Sequence, residues 1–169
     1  TALLDNAGTL AVLADAAATS KGAGTDAQAN AIVANAMGQY VVSIGGDAAA
    51  KVSNAGTLTV GSKANAQGVE TGFATATLVG GIVQNATTAA SYSASTSTSA
   101  TTTPGYVPAA TAALTNISAA TIGMHATATA QGTSAAAAGA MLVNGIQQDA
   151  LAPGGVGSVT LTNSGNITI

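Results

Sequence analysis

Cysteine, tryptophan and arginine are missing from this 169-residue chain, and aromatic residues make up 2% of it. Without cysteine, neither a disulfide framework nor a thiolate metal site can form, and stability must come from elsewhere. With Phe73 as the single phenylalanine, the 47% hydrophobic fraction is mostly Ala, with Val, Leu and Ile as a minority. Such side chains are too small to fill the gap between a helix and a sheet. They can fill the space between closely spaced β layers, where interiors must still reach close packing.

Charge is also scarce, at 5% Asp, Glu, Lys and Arg against about a quarter in soluble globular proteins. Lys21, Lys51 and Lys63 are the only lysines, and the net charge is −3, so there is no footprint for nucleic acid or an anionic membrane. Between Glu70 and Asp149 the titratable side chains are His125 and the tyrosines, which removes most of the material for acid–base chemistry from nearly half the chain. No apolar run approaches the roughly 18 residues of a membrane span. The chain starts at Thr1 without a signal-type segment, as expected of a fragment or mature portion of something larger.

What is present is repetition. Asn6-Ala-Gly-Thr-Leu10, Asn54-Ala-Gly-Thr-Leu58, Asn116-Ile-Ser-Ala-Ala120 and Asn163-Ser-Gly-Asn-Ile167 are versions of one phrase, spaced by 48, 62 and 47 residues. The long spacing contains a Ser/Thr-rich tract, Ser91 to Gly105, whose 15 residues account for the excess over 47. The period is thus about 47, with repeats at about 4–51, 52–113, 114–160 and a partial 161–169, and with 91–105 as an inserted loop.

Within each period apolar residues alternate with a period of two, the mark of a strand with one inward face. Leu58, Val60, Ala64 and Ala66 form one run, Ala74, Ala76, Leu78, Ile82 and Ala86 a second, and Ala48, Ala50 and Val52 a third. Three strands per repeat follow. Ala favours helix, but no i, i+3, i+4 stripe is sustained, and Thr, Val and Gly punctuate the runs. The chain is expected to be all-β, a parallel β-solenoid with a thin Ala-rich core, each repeat burying its apolar face on the next. Whether one period makes one coil or two stays open.

In-register stacking would align Asn6, Asn54, Asn116 and Asn163 in a structural ladder of hydrogen-bonded amides. Gln39, Gln84 and Gln148 recur with inward parity and are read the same way. The phrases Val52-Ser-Asn-Ala-Gly-Thr-Leu-Thr-Val60 and Leu161-Thr-Asn-Ser-Gly-Asn-Ile-Thr-Ile169 are accompanied by Ala-x-Ala runs. A Gly-Ile-x-Gln element joins them at Gly81-Ile-Val-Gln84 and Gly145-Ile-Gln-Gln148. Together they resemble the repeats of Gram-negative autotransporter passengers and filamentous haemagglutinin-like surface proteins. The resemblance implies export to the cell surface, a β-solenoid shaft and an adhesive or structural role. Asn116-Ile-Ser departs from it in lacking the Gly.

No residue set points to catalysis, a cofactor or a metal. His125 faces outward by alternation and has no second ligand nearby in sequence. Asp5, Asp15, Asp26, Asp47, Glu70 and Asp149 are scattered, although Asp5 and Asp47 are expected at neighbouring corners where calcium could bind, and Gly45-Gly46-Asp47 hints at the nonapeptide signature. An ice- or carbohydrate-binding face is a further alternative. For ice, the positions matching Thr75 and Thr77 are Gln28 and Asn30 in one repeat and Gly139 and Met141 in another, so no continuous Thr row is expected. Tyr92 and Tyr106 flank the inserted tract and are candidates for surface contact, because aromatics are so scarce. The expected role is a non-enzymatic structural or adhesive shaft, with a self-assembling extracellular filament as the alternative. Its partners would be copies of itself, end to end or laterally, and a cell-surface or matrix ligand. Few charges are present to block edge pairing.

Overall fold

The computed structural model describes residues 1–89 and 107–169. The first coil consists of β1 (Ala2–Asn6), β2 (Thr9–Thr19), β3 (Asp26–Ala34) and β4 (Met37–Ile44). The second repeats it as β5 (Ala48–Asn54), β6 (Thr57–Gln67), β7 (Thr71–Val79) and β8 (Ile82–Ala89). The third is β9 (Ala109–Asn116), β10 (Thr121–Gln131), β11 (Ala135–Val143) and β12 (Ile146–Leu151), and β13 (Val156–Asn163) and β14 (Asn166–Thr168) begin a fourth. Every strand pairs in parallel with its counterpart one coil away. Four sheets result: A (β1-β5-β9-β13), B (β2-β6-β10-β14), C (β3-β7-β11) and D (β4-β8-β12). The fold is an all-β parallel solenoid in which one period makes one coil, and no helix occurs among the described residues.

Each coil has four strands where the alternation indicated three. The run from Ala74 to Ala86 breaks between β7 and β8 at Gly80, whose φ is +65°. Asn35 (φ 48°) and Asn144 (φ 50°) occupy the same corner in the other coils. Gly and Asn are the residues that enter the left-handed region at least cost. Inward parity persists across this corner, which is why the two strands read as one.

The register also resolves the period into a unit and its insertions. Asp26 pairs with Thr71 and Met37 with Ile82, both 45 residues on. Thr9 pairs with Thr57, 48 residues on, because the corner 20–25 is three residues longer than its counterpart 68–70. Asn116 pairs with Asn163 at 47, since the corner 117–120 holds two more residues than 55–56. From Ile44 to Ala48 the chain takes 4 steps, whereas from Ala89 to Ala110 it takes 21. The tract 91–105 and both Tyr92 and Tyr106 fall in that interval, outside the described residues.

The interior has a wide centre and two narrow arms. At the centre, where the A/B and C/D corners face each other, Val33, Val52, Leu58, Val60, Leu78, Ile82, Leu114, Ile122 and Met124 form one cluster. Between sheets B and C the apolar core is all Ala, and between D and A it is Ala with the partly buried Val41 packed against it. At Ala66, Ala76, Ala50 and Ala86 no surface remains exposed. Methyl groups fill most of these arms because the layers close tightly there, with Ser62 buried between B and C and Gln84 and Thr88 between D and A, and the larger apolar residues gather where the corners hold the layers apart.

Candidate functional site

The most ordered polar arrangement lies inside the coil rather than on it. At the A/B corner, Asn6 Nδ2 donates to Asn54 Oδ1, Asn54 Nδ2 to Asn116 Oδ1, and Asn116 Nδ2 to Asn163 Oδ1, each at 2.8 Å. The second proton of each amide goes to a backbone carbonyl of the following coil: Thr57 O from Asn6 (3.0 Å), Thr121 O from Asn54 (3.0 Å) and Asn166 O from Asn116 (3.2 Å). Those carbonyls fix which atom of each amide is nitrogen, since an oxygen there would face another oxygen. The ladder therefore has a direction, donating from the first coil towards the fourth. Asn54 and Asn116 are completely buried, Asn6 nearly so, and Asn163 is exposed.

A second ladder runs the other way. Gln148 Nε2 donates to Gln84 Oε1 (2.8 Å) and Gln84 Nε2 to Gln39 Oε1 (2.9 Å). Each also reaches across the D/A arm to a carbonyl of the next coil: Lys51 O from Gln39, Ala113 O from Gln84 and Thr160 O from Gln148, at 2.9, 2.9 and 3.1 Å. Lys51, Ala113 and Thr160 are themselves register partners. The Gln ladder thus ties sheet D of one coil to sheet A of the next, and the Asn ladder ties A to B.

Outside, the remaining sequence candidates stand apart. His125 is exposed, with its ring lying over Gly61 in the neighbouring coil: a Cβ at Gly61 would come 2.4 Å from His125 Nε2. All six carboxylates are exposed. Asp5 and Asp47 are not neighbours: Asp5 pairs with Ser53, so Asp47 lies six residues back along the same direction, or about 20 Å. Asp47 Oδ1 instead accepts from Ala109 N at 2.8 Å, closing the entry to β9. No group of three His, Asp or Glu converges among the described residues.

The Thr rows need one correction. Thr75 and Thr77 pair with Asn30 and Ile32 rather than with Gln28 and Asn30, because the three extra residues at 20–25 reduce the offset from 48 on sheet B to 45 on sheet C, two short of the 47 of the averaged period. On the other side they pair with Gly139 and Met141, so sheet C carries no Thr column. A Thr column does exist on sheet B, through Thr9, Thr57 and Thr121. Two exposed aromatics escaped the sequence reading, Phe73 on the outer face of sheet C and Tyr40 on sheet D. Tyr40 lies on the outer face of sheet D with its ring over Gly38, where an added Cβ would come 2.8 Å from Tyr40 Cε2. The scarcity of aromatics, with Gly two positions earlier on the same strand face, was the signal that could have found it.

No protein-family model, curated protein or solved structure gives a significant match to this chain.

Proposed function

We propose that this chain is a stretch of extracellular β-solenoid shaft from the surface of a Gram-negative bacterium, structural or adhesive in role and without catalysis of its own. The observation that carries the reading is the pair of continuous amide ladders running through the coils in opposite directions. They bind each coil to the next through an interior that is Ala-rich in its arms and built of Val, Leu, Ile and Met at its centre. A rod built this way lengthens by about 4.8 Å per coil and draws its stability from nearest-neighbour stacking. Its hydroxyl- and amide-rich exterior, with the Thr9, Thr57 and Thr121 column on sheet B, suits a surface element that must stay hydrated with few charges. The resemblance of its Asn-x-Gly phrases to autotransporter and haemagglutinin-like repeats supports export.

Antibodies raised against the chain should label intact source cells, and beads coated with it should adhere to cells or matrix above uncoated controls. Labelling that appears only after lysis would overturn the surface assignment. The second reading, a subunit of an extracellular filament, is favoured by the scarcity of charge, 5% of residues, which leaves little on the strands to block edge-to-edge pairing. Under that reading sedimentation of the isolated chain shifts with concentration and micrographs show continuous fibres. A strictly monomeric species at high concentration excludes it.

A further inference from the structure

Tyr40 is the one tyrosine among the described residues, and it stands on the outer face of sheet D with 63% of its surface exposed. Its ring folds back along β4 over Gly38, the outward residue two positions earlier, where a Cβ would meet it. The glycine thus leaves room for an aromatic ring held against the sheet. On the neighbouring strands the register places Val83 and Gln147 beside Gly38, and Asn85 and Asp149 beside Tyr40.

The polar side chains next to this ring are held in pairs. Thr87 Oγ1 donates to Asn85 Oδ1 at 2.9 Å, and Gln147 Nε2 donates to Asp149 Oδ2 at 3.0 Å. With Oδ1 engaged, Asn85 has its Nδ2 protons to give; with Oδ2 engaged, Asp149 has Oδ1 to accept. A donor and an acceptor therefore stand on adjacent strands spaced by about 4.8 Å, with the aromatic ring on the strand beyond. We propose that this face binds a neutral polysaccharide lying across the coils, one sugar unit over Tyr40 and the next over Asn85 and Asp149.

The chemistry of a sugar ring matches each part. A pyranose has a C–H face, which packs on the apolar body of an aromatic ring, and a rim of hydroxyls that both donate and accept. Of two neighbouring hydroxyls on the second unit, one accepts from Asn85 Nδ2 and the other donates to Asp149 Oδ1. From β4 to β12 the face spans two strand spacings, about 10 Å, which is room for two adjoining units.

Other ligand classes fit worse. A purely apolar ligand would cover Asn85 and Asp149 without replacing their hydrogen bonds to water. An anionic polymer would meet Asp149, the one charged residue on the strands of sheet D, with no lysine there to offset it. The other exposed aromatic lacks this setting: Phe73 on sheet C has Gln28 on one side and Ala137 on the other, with no carboxylate beside it. One ring and two polar side chains make a weak contact, so useful adhesion comes from many contacts along a long shaft and a long polymer. The site deepens the adhesive reading of the shaft and rests on it.

Native gel electrophoresis with a polysaccharide cast in the gel tests this, since the net charge of −3 carries the chain towards the anode. Mobility is read against a gel without polymer. A dextran, a β-glucan, a mannan or a galactan should retard the chain, and alginate, an anionic polymer, should not. Tyr40→Ala should abolish the retardation, Asn85→Ala and Asp149→Ala should each weaken it several-fold, and Tyr40→Phe, which keeps the ring, should retain most of it. Phe73→Ala on sheet C should migrate as the parent chain does. Passage through all four neutral gels without retardation, equal retardation of Tyr40→Ala, or equal retardation by alginate would overturn the site. Should Tyr40→Ala lose its β-type circular dichroism, Asn85→Ala and Asp149→Ala decide in its place, and unchanged retardation of both overturns the site. Coated beads that adhere to cells while the chain passes every gel unretarded separate the two claims: the saccharide site falls and the adhesive reading stands.

Discussion

Removing one rung from the middle of the Asn ladder should be far more costly than removing its last rung, and the two middle rungs should not be additive. Asn54→Ala strips a fully buried amide that accepts from Asn6 Nδ2 and donates to Asn116 Oδ1 and Thr121 O. The Asn6 amide and the Asn116 carbonyl oxygen are each left facing a methyl group. An unsatisfied buried polar group costs about 1–3 kcal/mol. Two of them place Asn54→Ala at about 3–4 kcal/mol, a large fraction of a domain's stability. Asn163→Ala removes an exposed amide and leaves one donor, a proton of Asn116 Nδ2, without its partner at the open end of the ladder, and should cost no more than about 1 kcal/mol. Asn54→Asp keeps the shape and can still accept from Asn6. It has no proton for Asn116 Oδ1 or Thr121 O and buries a charge, so it should cost at least as much as the alanine.

The double variant gives the sharper test. Asn116→Ala alone orphans the Asn54 nitrogen and the Asn163 oxygen. Asn54→Ala with Asn116→Ala together orphans only the Asn6 nitrogen and the Asn163 oxygen, the same number of groups as either single change. The double should therefore fall short of the summed singles by about 2 kcal/mol. Urea unfolding followed by circular dichroism measures this, with the denaturant slope checked for each variant because stacked coils need not unfold in one step. Additive singles, or an Asn163→Ala cost equal to that of Asn54→Ala, would show that the ladder geometry does not carry the energy assigned to it.

Two further substitutions probe the parts of the coil that make it narrow. Gly80→Val places a β-branched residue at φ +65° with its Cβ about 2.6 Å from Asn35 Oδ1, and should cost about 2–3 kcal/mol, whereas Asn35→Gly at the same corner should be nearly neutral in the same urea assay. Ala76→Leu in the B/C arm, where Ala76 is fully buried among other alanines, should cost about 1–3 kcal/mol through overpacking and lower the thermal midpoint; an unchanged midpoint would mean that the arm has room for side chains larger than methyl.

The strand faces and the direction of stacking were legible because inward parity and the Asn phrase are both local signals. Leu58, Val60, Ala64 and Ala66 fall on the inner face of β6, where alternation puts them, and Asn6, Asn54, Asn116 and Asn163 stand in one column. The C/D corner was not legible because a single left-handed residue turns the chain without disturbing parity on either side. Gly80 alone reads as a strand glycine. It becomes a corner only when Asn35 and Asn144 are seen to share its register, and that requires the true offsets of 45 and 64 residues.

The error in the period follows from the same cause and explains what else was hidden. Measured between Asn phrases, the spacing absorbs whatever the intervening corners insert: three residues at 20–25 and two at 117–120. An offset wrong by two residues preserves parity, so the inner face is still read correctly. It misplaces every outward neighbour by one column, as Thr75 and Thr77 show. Inner positions tolerate such a slip because Ala lies on either side of Ala. Outer positions do not, because their meaning depends on which side chain stands beside them. With the offset at 45, Tyr40 comes into line with Asn85, and at 64 Asn85 comes into line with Asp149. The same chain whose core could be described from alternation alone thus yields its surface only after the coils are counted to the residue, and any interaction this solenoid makes through its flanks is written in that second, stricter register.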